Sequence, residues 1–64
     1  MNLMRIKYFV EVAKWGSFSK AAQTLYVSQP NLSRQIALME QEVGFELFQR
    51  SGKRIQLTRA GEYL

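Results

Sequence analysis

The stretch from Ser17 to Leu38 reads SFSKAAQTLYVSQPNLSRQIAL, and it decides the fold of this chain. Ser17 or Ser19 can cap a first helix, because a serine hydroxyl accepts a hydrogen bond from an unpaired N–H of the first helical turn. The buried side of that helix carries Ala21, Ala22 and Leu25. After it, Tyr26 and Val27 turn the chain.

A second helix can begin at Ser28, which is a suitable cap. Pro30 falls in its first turn, where the missing backbone N–H costs no hydrogen bond. Two short helices joined by a tight turn predict a helix-turn-helix.

The second helix has two separate faces when its residues advance by about 100° each. The apolar face, which we assign to the core, consists of Leu32, Ile36, Met39 and Val43. The other face is small or polar and consists of Gln29, Pro30, Ser33, Arg34 and Ala37. A DNA major groove admits a helix, and glutamine, serine and arginine hydrogen-bond to base edges there. Recognition helices present their N-terminal residues to the bases, so we predict a DNA-contacting face; an ordinary solvated face is the alternative.

Charge placement favours a polyanionic partner. The net charge is +4 and the sequence pI is near 9.9. From Val12 to Met39 there is no acidic residue, so Lys14, Lys20 and Arg34 are not neutralised by neighbours in the sequence. A second acid-free run contains Arg50, Lys53, Arg54 and Arg59. Taken alone, these runs are equally consistent with a solvated surface.

The second basic run also has the pattern of a hairpin. Residues 47–50 and 54–58 can form short strands, and Ser51, Gly52 and Lys53 supply the turn between them. A lone ribbon is marginal in water, so its apolar residues should pack on the helices. A ribbon beside a helix-turn-helix makes a winged helix, and Lys53 and Arg54 near its tip can reach phosphates or a minor groove.

The opening segment predicts one more helix. Asn2 can cap it, and Gly16 can end it in the left-handed conformation. Helical spacing assigns Leu3, Ile6, Phe9, Val10 and Ala13 to the core, and Arg5, Lys7, Glu11 and Lys14 to the outside. We interpret Trp15 as a partly buried cover over this helix rather than a residue that stacks on bases, and Phe18 as an apolar anchor. Thr58 can cap a last short helix.

Composition excludes several classes of protein. A chain of 64 residues is one small domain without room for a large ligand cavity. Histidine and cysteine are absent and no glycine-rich phosphate loop occurs, so we expect no enzyme, no metal and no cofactor in this chain. No apolar run reaches membrane-spanning length, and we expect the core to use every apolar stripe, so a soluble intracellular protein without membrane binding is expected.

With these residues in view, the chain resembles the DNA-binding domain of LysR-type transcriptional regulators. The motifs that carry the resemblance are YFVEVAKWGSFSKAAQTL, VSQPNLSRQI with the following Glu40 and Gly44, and ELFQRSGKRIQLTRAGEYL. The resemblance implies a winged helix-turn-helix over residues 1–58 and the start of a linker helix over 59–64. It also implies a cytoplasmic homodimer or tetramer that binds double-stranded DNA and senses a small-molecule effector through a further C-terminal domain.

The resemblance assigns roles to individual residues. It implies base contacts from Gln29, Pro30, Ser33 and Arg34, and wing or backbone contacts from Ser28, Arg50, Lys53 and Arg54. Asn31 stands where the family varies, and we include it among the major-groove residues as one that tunes sequence choice. A winged helix that binds an acidic protein is the alternative function, and discrimination between base sequences separates the two.

Overall fold

The computed structural model describes residues 2–52 and 54–63. Three helices come first along the chain: α1 (Leu3–Trp15), α2 (Phe18–Leu25) and α3 (Gln29–Val43). Two antiparallel strands follow, β1 (Phe48–Ser51) and β2 (Arg54–Leu57), and then the short helix α4 (Arg59–Glu62). This mainly helical fold with a two-stranded hairpin confirms the predicted winged helix-turn-helix.

Each helix begins after a residue whose side chain accepts a hydrogen bond from the backbone N–H three positions later. These caps are Asn2, Ser17, Ser28 and Thr58, as predicted. The cap of α2 is Ser17, whose Oγ accepts a hydrogen bond from the backbone N–H of Lys20 at 3.1 Å. The alternative cap, Ser19, is not used. Gly16 ends α1 with a φ of 62°, in the left-handed region that favours glycine.

The hairpin pairs Phe48 with Leu57 and Ser51 with Arg54. At the end nearer the helices both strands stop one residue short of the prediction, although the Thr58 N–H still donates to the Leu47 carbonyl at 2.9 Å. At the other end β1 includes Ser51, which was predicted in the turn. The Leu47 N–H donates to the Glu40 carboxylate of α3, and the Thr58 hydroxyl caps α4. Lys53, predicted in the turn, lies outside the described residues.

The core lies between the three helices and the base of the hairpin. It consists of Tyr8, Val12, Ala21, Ala22, Leu32, Ile36, Met39, Leu47 and Phe48. The Phe48 ring lies 5.3 Å from that of Phe9 and 6.0 Å from that of Phe18, measured between centroids. These aromatic contacts join the hairpin to α1 and α2, and they confirm Phe18 as an apolar anchor. The apolar face of α3 is also confirmed, with Val43 half-buried at its end.

The predicted core face of α1 is wrong for most of its residues. Leu3, Ile6 and Val10 are 75%, 42% and 52% exposed, and Ala13 is exposed as well. Only Phe9 of the predicted set packs on the core. The buried side instead carries Tyr8 and Val12, whose sector is centred about 140° away around the helix axis at 100° per residue. The reason is that α1 has apolar residues on more than one side, and its packing against α2 and α3 selects among them.

The orientation of α1 changes two further expectations. Arg5 and Glu11 were predicted outside, yet both are half-buried. The core also does not use every apolar stripe, because Leu3, Ile6 and Val10 leave an open apolar strip along α1. Within residues 2–52 and 54–63, every helix is too short or too polar to cross a bilayer.

Candidate nucleic-acid interface

The N-terminal half of α3 presents a continuous exposed surface. Gln29, Pro30, Ser33, Arg34 and Ala37 are all exposed, and we call them the recognition face. On the opposite side of the same helix, Leu32, Ile36 and Met39 are buried. Burial of one side therefore directs the hydrogen-bonding groups of the other side outward, as the sequence predicts.

The hairpin of β1 and β2, which we call the wing, forms the second wall of a cleft beside the recognition face. Ser33 and Glu40 of α3 line one side of this cleft, while Phe48 and Arg50 of β1 line the other. A neighbouring cleft is lined by Gln29, Ser33 and Arg50 together. The structure thus brings Arg50 onto the same surface as two residues of the recognition face, although Arg50 follows Ser33 by 17 positions in the sequence. A cation at this place is suited to a phosphate flanking the groove that a helix enters.

Glu40 ties the wing to α3. One carboxylate oxygen, Oε2, accepts hydrogen bonds from the Leu47 N–H at 2.7 Å and the Phe48 N–H at 3.4 Å. Charge-assisted hydrogen bonds of this length are among the stronger ones in proteins. Glu40 therefore holds the start of β1 against the C-terminal half of α3, and this sets where the wing lies relative to the recognition face.

Arg5 holds α3 from the side of α1. Its Nε donates to Gln35 Oε1 at 2.9 Å, and its Nη1 donates to Glu42 Oε1 at 2.8 Å. The Arg5 side chain is only 21% exposed, so these bonds are partly shielded from water. Arg5 thus joins α1 to α3, and Glu40 joins α3 to the start of β1. Together these contacts hold α3 in place between α1 and the hairpin.

Sequence reasoning missed the roles of both these residues. Arg5 was placed outside, because a lone arginine on a helix has no visible partner 30 or 37 positions away. Glu40 entered only as part of the family resemblance, with no contact assigned to its carboxylate. A signal did exist for Glu40, since it stands two helical turns beyond Ser33, on the same side of α3, where a solvated carboxylate would repel DNA.

The other predicted site residues lie at the start and on the flank of α3 and beside the hairpin turn. Asn31 is half-buried on the flank of α3, about 100° from Pro30, and its N–H donates to Ser28 Oγ at 3.2 Å. Ser28 is exposed at the start of the recognition face, although its oxygen is used as the cap. Arg54 pairs with Ser51 beside the hairpin turn, as predicted, and its guanidinium lies against the turn at Gly16. Lys53 is outside the described residues.

Trp15 lies along α1 and remains 38% exposed. Its Nε1 donates to Glu11 Oε2 at 3.0 Å, and Lys14 Nζ lies 5.5 Å from the ring centroid. The interpretation of Trp15 as a cover over the first helix is thus confirmed in part, because more than a third of the side chain is open to solvent.

Comparison with known proteins places this geometry in a family. The model for "Bacterial regulatory helix-turn-helix protein, lysR family" matches residues 3–62. An uncharacterised transcriptional regulator of Bacillus subtilis, YwbI, is 51% identical over 57 residues, which cover 89% of this chain and 19% of that protein. The regulator TfdT of Cupriavidus pinatubonensis is 45% identical over 62 residues, covering 97% of this chain and 27% of that protein. The chain thus spans less than a third of the length of these two relatives.

Two solved structures have the same fold with DNA bound. The DNA complex of the CbnR DNA-binding domain has a TM-score of 0.92 and 41% identity, covering 98% of this chain and 72% of that chain. The BenM DNA-binding domain on its benA site 1 DNA has a TM-score of 0.93 and 41% identity, covering 98% of this chain and 71% of that chain.

Proposed function

The chain belongs to the lysR family of bacterial regulatory helix-turn-helix proteins, and on that premise we propose that it binds double-stranded DNA sequence-specifically to regulate transcription. The observation that carries the proposal is the recognition face: five exposed, small or hydrogen-bonding residues at the N-terminal half of α3. The likeness to two DNA-bound domains at 41% identity supports it.

In the proposed complex, the N-terminal half of α3 enters the major groove. Gln29 can donate to and accept from adenine, Arg34 can donate twice to guanine, and Ser33 can bond to several base edges. Pro30 and Ala37 are small enough to let the helix approach closely, and apolar groups contact thymine methyls. Ser28 and Arg50 border this face and would bond to phosphates. Asn31 is proposed to contact the major groove, and Lys53 to contact DNA from the wing.

A second proposal concerns the assembly and the effector of the regulator. We propose that α4, which begins at Arg59, is the start of a linker helix through which two or four copies assemble, with residues 1–58 as the DNA-binding domain. A regulator of this kind would act in the cytoplasm without enzymatic activity, and a further domain would bind its small-molecule effector. Assembly on a two-fold symmetric site makes the second contact intramolecular, which raises overall affinity.

Selection of bound duplexes from a random pool tests the proposal. We expect a defined motif to be enriched, and we expect the Arg34→Ala variant to lose discrimination at one guanine of that motif by about 1–3 kcal/mol. Affinity for scrambled duplex should fall much less. Arg59→Ala is a control, because it removes one exposed positive charge outside the recognition face.

Two results would contradict the proposal. If no motif is enriched and the chain binds every duplex equally, sequence-specific binding is wrong, and a winged helix that binds an acidic protein becomes the better reading. If Arg34→Ala weakens specific and scrambled duplex by the same factor, Arg34 contacts phosphate and not a base.

A further inference from the structure

The start of α4 is packed closely against the base of the wing. Gly61 is buried, although its neighbour Glu62 is exposed. A Cβ placed on Gly61 would overlap the carbonyl oxygen of Leu47, and it would lie 3.2 Å from Leu57 Cδ2. Gly61 lies within a helix, so glycine is required here by the close approach of two backbones and not by a special backbone conformation.

Thr58 attaches the first turn of α4 to the residues before β1. Its N–H donates to the Leu47 carbonyl at 2.9 Å, and its hydroxyl donates to the Glu46 carbonyl at 2.6 Å. The same hydroxyl oxygen accepts from the Gly61 N–H at 2.9 Å. Two contacts therefore hold α4 in place, the hydrogen bonds of Thr58 and the packing of Gly61.

Leu47 joins this attachment to the recognition helix. Its N–H donates to the Glu40 carboxylate of α3 at 2.7 Å, while its carbonyl faces Thr58 and Gly61. Its side chain is fully buried, so Leu47 cannot shift without disturbing a close-packed core. We call Glu40, Leu47, Thr58 and Gly61 the α4 junction. Because it connects α3 to α4 through one buried residue, the direction of α4 is tied to that of the recognition face.

We propose that the α4 junction holds α4 at one angle to α3 and thereby sets the separation of the two half-sites that a pair of chains binds on DNA. This inference rests on the proposed function, in which helices that continue α4 join the copies. Paired domains bind half-sites whose spacing mirrors the distance between their recognition helices. Gly61 and Thr58 are then positioning residues, since they act on DNA only through the direction of α4.

The geometry of the junction gives the size of the effect. The methyl group of Gly61→Ala must move from the Leu47 carbonyl by about 1 Å to reach ordinary van der Waals contact. Gly61 lies about 4.5 Å along the helix from Thr58, so this shift tilts α4 by about 12°. Tyr63 keeps right-handed helical backbone angles, so α4 keeps its direction there. Over a further 15 Å or so of helix, the tilt displaces the axis by about 3 Å, close to the roughly 3.4 Å between base pairs.

Binding of the full-length regulator to duplexes with two half-sites at varied separations tests this inference. We expect Gly61→Ala to shift the preferred separation by about one base pair or more. Its affinity at the wild-type separation should fall about tenfold or more, because the second half-site no longer meets its domain. Its affinity for a duplex with a single half-site should be unchanged, since the recognition face is unaltered.

Thr58→Ala tests the same junction without adding an atom. It removes the hydroxyl bonds to Glu46 and Gly61, so α4 can take several angles and affinity should vary less with separation. Thr58→Ser is the matched control, because it retains the hydroxyl and should keep the wild-type preference.

Gly52→Ala is a control for the glycine substitution. Gly52 lies in the hairpin turn with a φ of 65°, and a Cβ there would meet no described atom within 4 Å. The variant is strained, yet it adds no contact to α4. Its preferred separation should equal that of the wild type.

The outcomes separate this inference from the proposed function. If Gly61→Ala and Thr58→Ala both bind a single half-site and keep the wild-type separation, the α4 junction does not set the spacing, while the proposed function still stands. Loss of single-site binding in Gly61→Ala would mean that the methyl group disrupts the domain, and Thr58→Ala against Thr58→Ser then decides. If the wild-type regulator sediments as a monomer and binds paired half-sites no better than one, the proposed assembly itself fails and takes this inference with it.

Discussion

Replacing Glu40 with alanine removes the side chain that holds the wing against α3. The strongest bond lost is the one from the Leu47 N–H, at 2.7 Å, whereas the bond from Phe48 is long at 3.4 Å and adds little. Hydrogen bonds to a charged group contribute about 1.5–3 kcal/mol, and Leu47 is fully buried, so its N–H has poor access to replacement water. We therefore expect Glu40→Ala to lower the free energy of unfolding by about 2 kcal/mol.

Thermal and urea unfolding followed by circular dichroism measure this loss. For a domain of this size, about 2 kcal/mol corresponds to a fall in Tm of about 8–16 °C. Glu40→Gln should lose about half as much, because its amide oxygen can still accept from Leu47 but carries no charge. Amide hydrogen exchange at Leu47 should accelerate in Glu40→Ala more than in Glu40→Gln.

Glu46→Ala is the matched control for this measurement. The Glu46 side chain is exposed, and the bond that Glu46 makes, from the Thr58 hydroxyl, goes to its main-chain oxygen and survives the substitution. Its free energy of unfolding should stay within about 0.5 kcal/mol of the wild type. If Glu40→Ala unfolds at the same temperature and denaturant concentration as Glu46→Ala, the carboxylate does not hold the wing, and the reasoning is refuted.

Two further pairs of variants test the packing and the helix starts. Val12→Ala should lower the free energy of unfolding by about 2 kcal/mol, because Val12 is fully buried, while Val10→Ala should change it by less than about 0.5 kcal/mol, because Val10 is 52% exposed. A larger loss for Val10→Ala than for Val12→Ala in urea unfolding would mean that α1 packs in the orientation predicted from its sequence, and equal losses would contradict the burial of Val12 alone. Ser17→Ala should cost about 1 kcal/mol through loss of the α2 cap, and Ser19→Ala should cost almost nothing. Equal thermal stability of the two serine variants would contradict Ser17 as the cap.

Local features of the chain were predictable from its sequence. Each helix cap bonds to an N–H only three residues away, so Asn2, Ser28 and Thr58 could be recognised from their neighbours alone. The faces of α3 were predictable for a related reason. Its apolar residues occupy one sector, so burying that sector leaves a single orientation, and the recognition face follows.

Relations between distant segments were decided only by the tertiary structure. The apolar residues of α1 lie on more than one side, and periodicity cannot select the buried side without knowing where α2 and α3 pack. Arg5 finds its partners 30 and 37 positions along the chain, which no local pattern specifies. Arg54 lies beside the hairpin turn as predicted, but its contact with Gly16 depends on the hydrogen bond from Ile55, which brings β2 to the end of α1. The sequence by itself determined where the helices begin and which side of α3 is exposed, since those depend on neighbouring residues. Which side of α1 is buried and what the Arg54 side chain contacts depend on packing between segments far apart in the chain.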